Sequence, residues 1–317
     1  MRPSRRPIIV ATRRSMLAQA QARAVAQALA RLNPGTEVKL LPLATEGDRH
    51  SRQHPTAAPA GKGMFTAGVE AALLDERADV AVHSLKDMPT RLTPGLVIAA
   101  IPKRGDPRDC LIAREADRIE ALAEGATFGT SSMRRASQVL RARPDLTPAP
   151  LRGNIETRLG KVHETREVDA TLLAMAGLQR GGLAAHATRP IDPSIVLPSP
   201  GQAALAIQCR ADDHVTLRRC LPLNDTATAT CVEAERHVAS ELGGDCRTPL
   251  AALAESVGGD RLRLRARVLS HDGTECIEAD EAAGSKQARK LAGRVVELLL
   301  RQGAEAVLAA SRAGRAG

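Results

Sequence analysis

Short apolar runs alternate along this chain with stretches in which apolar residues recur at helical spacing. Ile8 to Ala11 reads as a strand, Ser15 to Leu32 as an Ala-rich helix stopped by Asn33-Pro34-Gly35, and Val38 to Leu43 as a second strand. After a polar, proline-containing loop from Glu46 to Lys62, Thr66 to Arg77 is helical and Asp79 to His83 returns as a buried strand. The segment Pro102 to Pro107 has hinge composition. Beyond it the alternation restarts: helix Arg118 to Ala123, strand Ala126 to Phe128, helix Met133 to Ala142, strand Ala149 to Leu151, helix Ile155 to His163, strand Val168 to Met175. Strands alternating with helices imply parallel pairing in an α/β layer.

Pro190, Pro193, Pro198 and Pro200 mark a second crossover, after which Ala203 to Cys209 makes a strand suited to rejoin the first sheet. Two crossovers describe a two-lobed clam. From Thr226 the pattern changes to a helix through Leu242, strands near Ala251 to Glu255, Leu262 to Leu269 and Glu275 to Ala279, and a helix from Ser285 to Arg301. The expected fold class is α/β, with a discontinuous first lobe (7–102 and 201–222), a second lobe (105–198) and a smaller α+β domain (225–317). The two lobes share architecture but no sequence repeat.

In open α/β sheets ligands collect beyond the carboxyl ends of strands. Four loops are expected there: Thr12 to Ser15, His83 to Asp87, Gly129 to Arg135, and Arg152 to Arg158. The last two open helices, where unpaired N–H groups already present positive partial charge. Placing Arg134 and Arg135 there costs on the order of a few tenths to 1 kcal/mol per charge unless an anion is bound. One such loop is ordinary exposed arginine, whereas four at equivalent positions point to an acidic ligand.

Composition narrows the ligand. Among 317 residues, 45 Lys and Arg against 36 Asp and Glu give a net charge of +9, which favours polyanions in general. Single-stranded nucleic acid also needs aromatic platforms, and the only aromatics are Phe65 and Phe128. No apolar run reaches the roughly 20 residues of a membrane span, and no signal-peptide core follows the first arginines. Cys110, Cys209, Cys220, Cys231, Cys246 and Cys276 lack metal-ligand or disulfide spacing, so no metal is expected. The expectation is a cytoplasmic protein with reduced thiols, engaging neither membrane nor nucleic acid, with Arg2 to Arg6 and Arg312 to Arg315 as solvated tails.

Two residues carry candidate chemistry. Asp87 is the one carboxylate among these cations; it either caps a turn before Met88-Pro89 or stabilises a cation formed on the substrate, and spacing does not separate the two. Cys209 and Cys231 fit buried small hydrophobes, but Cys246, in Gly243-Gly244-Asp245-Cys246-Arg247, is open to approach and has a cation beside it, as a nucleophile or attachment point would.

IIVATRRSMLAQAQA (Ile8 to Ala22), HSLKDMP (His83 to Pro89), RGDPRDCLI (Arg104 to Ile112), GTSSMRR (Gly129 to Arg135), LRGNIETR (Leu151 to Arg158), LPSPGQAALAIQCR (Leu197 to Arg210) and LGGDCRTPLA (Leu242 to Ala251) occur in family order. Through these motifs the chain resembles the porphobilinogen deaminase, or hydroxymethylbilane synthase, family. The resemblance implies a transferase that deaminates four porphobilinogen units and joins them head to tail into hydroxymethylbilane, for haem and related tetrapyrroles. It implies two periplasmic-binding-protein-like lobes plus a third domain, a monomer, and a dipyrromethane cofactor in thioether linkage to Cys246. Asp87 matches the catalytic residue that contacts pyrrole N–H groups. Ser84, Lys86, Thr130, Ser132, Arg134, Arg135 and Arg158 match cofactor contacts; Arg13, Ser15, Phe65, Arg152 and Arg180 match the substrate side, although Phe65 reads equally as core.

Ala203 and Ala206 stand where the family pattern has glycines, Gln208 where it has an acid, and Asp245 where glycine is common. A tighter crossover, rather than lost chemistry, is the expectation. Two other classes remain open on residues alone: a non-catalytic two-lobed binder of acidic metabolites, and a nucleic-acid binder.

Overall fold

The structure, a computed structural model, describes residues 5–45, 63, 66–244 and 248–313. In chain order the elements are β1 (Arg5–Arg13), α1 (Met16–Leu32), β2 (Thr36–Leu43), α2 (Ala67–Leu74), β3 (Val80–Ser84), β4 (Leu96–Ala100), β5 (Asp109–Ala113), β6 (Thr127–Gly129), α3 (Met133–Ala142), β7 (Thr147–Ala149), α4 (Ile155–His163), β8 (Ala170–Ala174) and α5 (Met175–Arg180). There follow β9 (Leu205–Arg210), α6 (His214–Cys220), α7 (Thr226–Glu241), β10 (Leu250–Ser256), β11 (Arg261–Leu269), β12 (Cys276–Gly284), α8 (Ala288–Arg301) and α9 (Ala304–Ala313). They form two compact units, Met1–Gly105 with Ala203–Ala229 and Asp106–Gln202 with Thr230–Gly317.

The first unit holds a sheet of order β2-β1-β3-β9-β4. β1 pairs in parallel with β2 and β3, whereas β9 is antiparallel to both β3 and β4. The parallel pairing expected from the alternation holds for β1, β2 and β3, but the sheet is mixed: β9 re-enters the unit without a crossover helix of this sheet before it, so no right-handed βαβ rule sets its direction. Apolar residues cover both faces. Val10, Val82, Ile207 and Leu29 fill one core, and Ala11, Val69, Leu73 and Ala81 another. β9 begins just after Ala203, which adopts φ +69°, a left-handed conformation that L-residues disfavour.

The second unit contains two sheets, β5-β8-β6-β7 and β10-β11-β12. β6, β7 and β8 run parallel, and β5 lies antiparallel on β8 with Asp109 opposite Ala174. Both faces are apolar, with Leu111, Phe128 and Leu172 on one side and Ile112, Leu159 and Leu173 on the other. The second sheet is a simple antiparallel meander. In β11 exposed Arg261 and Arg263 alternate with buried Leu262 and Leu264, which pack with Leu291, Val295 and Leu299 of α8. Arg267 of β11 reaches α3, donating to Gln138 Oε1 at 2.7 Å, and to the Ser194 carbonyl at 2.9 Å. The β11–β12 turn also meets α3: at Gly273 (φ +75°) a Cβ would lie 2.3 Å from the Ser137 carbonyl.

Several local expectations change. Arg118 to Ala123 is not a helix but a single 3-10 turn at Ile119–Ala121. The strand expected through Met175 ends at Ala174, and the strand expected at Ala149 to Leu151 lies at Thr147–Ala149. β4, β5, α5, α6 and α9 were not expected; β5 is buried at all five residues, so it carries no period-two pattern to read. Among the described residues no helix is long and apolar enough to cross a membrane.

Ala203→Gly is expected to stabilise the protein by about 0.5–1 kcal/mol, because relief of the left-handed strain exceeds glycine's added freedom in the unfolded chain. A urea midpoint that falls would show that Ala203 is unstrained.

Candidate active site

In the first unit the carboxyl ends of β1 and β3 carry short polar loops. β1 ends at Arg13, and the Ser15 hydroxyl caps α1 by accepting from the Ala18 N–H at 3.3 Å. β3 ends at Ser84, whose hydroxyl shares a 3.2 Å hydrogen bond with the Gln21 side chain. The Leu85–Asp87 turn follows, pinned by the Leu85 N–H donating to the Ala204 carbonyl at 3.0 Å. Arg13, Ser15, Ser84 and Lys86 are half-buried, whereas Asp87 is exposed. Among the described residues the Asp87 carboxylate makes no side-chain hydrogen bond or ion pair, so it is not spent on capping the turn. Phe65 lies outside the described residues.

In the second unit the loops after β6 and β7 lie side by side. The Thr130 N–H donates to the Ala149 carbonyl at 2.8 Å, and Ser131 Oγ to the Leu151 carbonyl at 3.1 Å. Thr130 Oγ1 accepts from the Ser132 N–H at 3.1 Å, while the Ser132 hydroxyl is not used to cap α3. Asn154 caps α4 by accepting from the Thr157 N–H at 2.8 Å. Gly153 before it has φ +118°, and a Cβ there would lie 2.6 Å from the Thr157 side chain, so only glycine lets the Arg152 loop run this close to α4. Arg158 Nε donates back to the Gly153 carbonyl at 2.9 Å. Arg180 ends α5, directly beyond β8, where burial pushes its pKa below the ordinary guanidinium value.

Arg134 and Arg135 depart from the expectation of cations waiting for an external anion. Their side chains are 5% and 7% exposed and turn onto Asp109, which is fully buried at the start of β5. Arg134 Nη2 donates to Asp109 Oδ2 at 2.8 Å and Arg135 Nη2 to Oδ1 at 2.7 Å. Arg134 Nη1 reaches the Leu197 carbonyl at 2.8 Å, and Gln202 Nε2 donates to Asp109 Oδ1 at 3.0 Å. The protein itself supplies part of the anion. Burial pushes the Arg134 pKa down, and the Asp109 charge works against that shift. Among the described residues, Arg135 Nε is buried without a hydrogen-bond partner.

An orphaned guanidinium N–H, the Ser132 hydroxyl and half-buried Arg152, Arg158 and Arg180 along one sheet edge suit a ligand bearing several carboxylates. The comparisons with known proteins agree. A family model described as "Porphobilinogen deaminase, dipyromethane cofactor binding domain" matches residues 8–218, and "Porphobilinogen deaminase, C-terminal domain" matches 229–301. The chain is 44% identical over 301 residues to the porphobilinogen deaminase of Legionella pneumophila (strain Lens), covering 95% of this chain and 97% of that protein. It is 42% identical to the porphobilinogen deaminase of Syntrophotalea carbinolica, covering 95% of each. This chain belongs to the porphobilinogen deaminase family. Solved structures similar to it include the second substrate-binding domain of GlnP from Lactococcus lactis (TM-score 0.40, 11% identity, 70% of this chain and 88% of that one). An arginine-specific periplasmic binding protein from Salmonella typhimurium is also similar (TM-score 0.37, 11% identity, 71% and 94%).

A porphobilinogen deaminase cofactor of the dipyrromethane type carries carboxylates on each ring, and the donors of the second unit fit that chemistry. Of the described thiols, four have raised pKa values and the fifth is buried. Burial pushes Cys110 and Cys220 up to about 12 and Cys209 up to about 11, and burial followed by the Glu278 charge pushes Cys276 up to about 11. Cys231 is buried, as expected for a small hydrophobe. Cys246, with its neighbours Asp245 and Arg247, lies outside the described residues.

Sequence reasoning missed Asp109 and Gln202, although both lie within quoted motifs, because Asp109 is 25 residues from Arg134 and spacing does not reveal which cation it meets. It also missed His83, buried against Gln208 at 3.0 Å. Asp109→Asn is expected to destabilise the protein by about 3–5 kcal/mol, since it leaves two buried guanidiniums without their anion. A loss below about 1 kcal/mol in urea unfolding would show that the pair is not held this way. Burial, the largest influence, lowers the His83 pKa, with Glu70 opposing it. Below about pH 6.5 the unfolded chain therefore binds a proton that the folded chain does not, and stability should fall as pH drops through that value. Replacing His83 by Asn should flatten that part of the stability profile.

Proposed function

We propose that this chain deaminates porphobilinogen and joins four units head to tail into hydroxymethylbilane, releasing four ammonia and consuming one water, which supplies the terminal hydroxyl. The family match supports that activity, and the observation that carries the residue assignment is the exposed Asp87 carboxylate, which has no side-chain partner among the described residues at the carboxyl edge of its sheet. When ammonia leaves a porphobilinogen side chain, the C–N electron pair departs with it and a cation delocalised over the pyrrole remains. Asp87 accepts hydrogen bonds from pyrrole N–H groups and stabilises that cation. The free α-carbon of the neighbouring pyrrole then forms the C–C bond, and its proton is released.

The dipyrromethane cofactor, held through a thioether to Cys246, supplies the pyrrole from which the chain grows. The protein's part is binding and charge. Ser84, Lys86, Thr130, Ser132, Arg134, Arg135 and Arg158 hold cofactor carboxylates, with Arg134 and Arg135 contributing mainly as the Asp109-anchored positive floor. Arg13, Ser15, Phe65, Arg152 and Arg180 take the substrate side. Each added pyrrole brings two more carboxylates, and guanidinium forks match them better than ammonium groups do. Three sheets, each with its own core, support a division into 7–102 with 201–222, 105–198 and 225–317. The chain acts as a cytoplasmic monomer, with neither a membrane nor a nucleic acid as partner.

Intact mass spectrometry should find the native protein heavier than its chain by one dipyrromethane, and Cys246→Ser should lack the adduct. An active native protein at the bare chain mass would overturn the cofactor assignment. Asp87→Asn should keep the adduct while kcat falls about 10²–10³-fold, the scale of losing a directed electrostatic contact in a transition state. Near-normal turnover of that variant would remove Asp87 from the mechanism.

A further inference from the structure

One buried amide in the second unit has every hydrogen-bonding position in use. Gln138 of α3 is 1% exposed. Its Oε1 accepts from Arg267 Nη1 at 2.7 Å and from the Leu197 N–H at 2.8 Å. Its Nε2 donates to the Leu197 carbonyl at 3.0 Å and to the Arg134 carbonyl at 3.1 Å. An amide side chain offers two acceptor sites and two N–H donors, so its capacity is filled. A guanidinium only donates and a carbonyl only accepts, so these partners also fix which end of the amide faces which.

Both ends of this arrangement lead further. Arg267 of β11 is buried and pairs with Glu278, and it donates to the Ser194 carbonyl at 2.9 Å and the Ile195 carbonyl at 3.2 Å. Just beyond Leu197, the Pro198 carbonyl accepts from the Ala252 N–H of β10 at 3.1 Å. The Leu197 carbonyl takes a second bond, from Arg134 Nη1 at 2.8 Å, while Arg134 Nη2 holds Asp109. Two points therefore aim the Arg134 guanidinium: the Asp109 carboxylate and the Leu197 carbonyl. Arg267 governs the second point, because it grips the backbone at 194–195 and the amide that grips Leu197. In a densely packed interior a shift of that backbone is passed on rather than absorbed.

We propose that Arg267 is a positioning residue for the reaction: through Gln138 and Leu197 it sets the direction of the Arg134 guanidinium, and through the shared Asp109 that of Arg135. This rests on the reading that Arg134 and Arg135 form the positive floor beneath the cofactor carboxylates. The cofactor is covalently attached in that reading. A misdirected floor then misplaces the attacking pyrrole without releasing it, and the loss falls on kcat rather than on KM.

Arg267→Met keeps an apolar stem of similar reach and removes the guanidinium. In full-length protein, kcat per adduct-bearing molecule counted by intact mass should fall about tenfold, with KM within about twofold. Arg134→Lys keeps a cation on Asp109 while losing the contact with Leu197, and should itself lower kcat. If Arg267 acts through that contact, adding Arg267→Met to Arg134→Lys should cost less than about twofold more, whereas a merely structural residue gives losses that multiply. Unchanged kcat in Arg267→Met, a loss confined to KM, or multiplied losses in the double variant would each overturn the proposal. Should Arg267→Met or Arg134→Lys not fold, Gln138→Met replaces it in the same cycle with the same expectations. In ¹H–¹⁵N spectra of the cofactor-loaded protein the Arg134 Nε–H resonance, identified by its loss in Arg134→Lys, should shift when Arg267 or Gln138 is replaced by Met. An unmoved resonance would also overturn the proposal. Absence of deaminase activity in the unaltered protein would instead defeat the function, and the NMR result distinguishes the two failures.

Discussion

The fully buried Asp109 carboxylate, shared by Arg134 and Arg135, is the interaction on which the second unit's site edge depends. Two guanidiniums stripped of water would be untenable alone, and a single carboxylate with good geometry makes the arrangement possible. The ratio matters as much as the contact. Two cations on one anion leave excess positive charge in a place where water screens it poorly, and the partnerless Arg135 Nε gives that charge a direction. The cluster is stable enough to fold yet remains complementary to an acidic ligand.

The first unit solves the reverse problem. Its carboxylate, Asp87, is exposed on a tight turn, and the backbone rather than a salt bridge holds it in place. A residue that must meet a transient cation loses its use if a permanent one is paired to it. In the proposed function Lys86 and Arg13 serve carboxylate recognition, so the fold has to keep cations close to Asp87 without neutralising it.

Much of the local structure was legible in the chain. Helices Met133–Ala142 and Ile155–His163 end where expected, since both start after polar N-cap residues that follow short strands. The strand expected after the proline-rich crossover does return to the first sheet, as β9 pairs with β3 and β4. The strands buried on every side were not legible: β5 has five buried residues in succession and no alternation. Strand direction was also beyond reach for β5 and β9, because direction is set by where the chain re-enters a sheet rather than by the residues of the strand. The left-handed Ala203 is a case in which tertiary demand overrides the residue's own preference.

For the site, the sequence by itself determined the inventory: arginine-bearing loops after strands, a carboxylate among cations, a cysteine shortly after a glycine pair, and a set of motifs specific enough to name a family. Those are local properties, written in spacing and residue type. Tertiary structure alone decided which arginines face inward and which remain half-buried at the edge, because that depends on Asp109 arriving from a strand 25 residues away. It alone decided that buried His83 meets Gln208, 125 residues along the chain, and that Gln208 in turn meets Glu70, 138 residues away from it. Charge pairing in a buried site is a property of distance in space, and no local pattern encodes it.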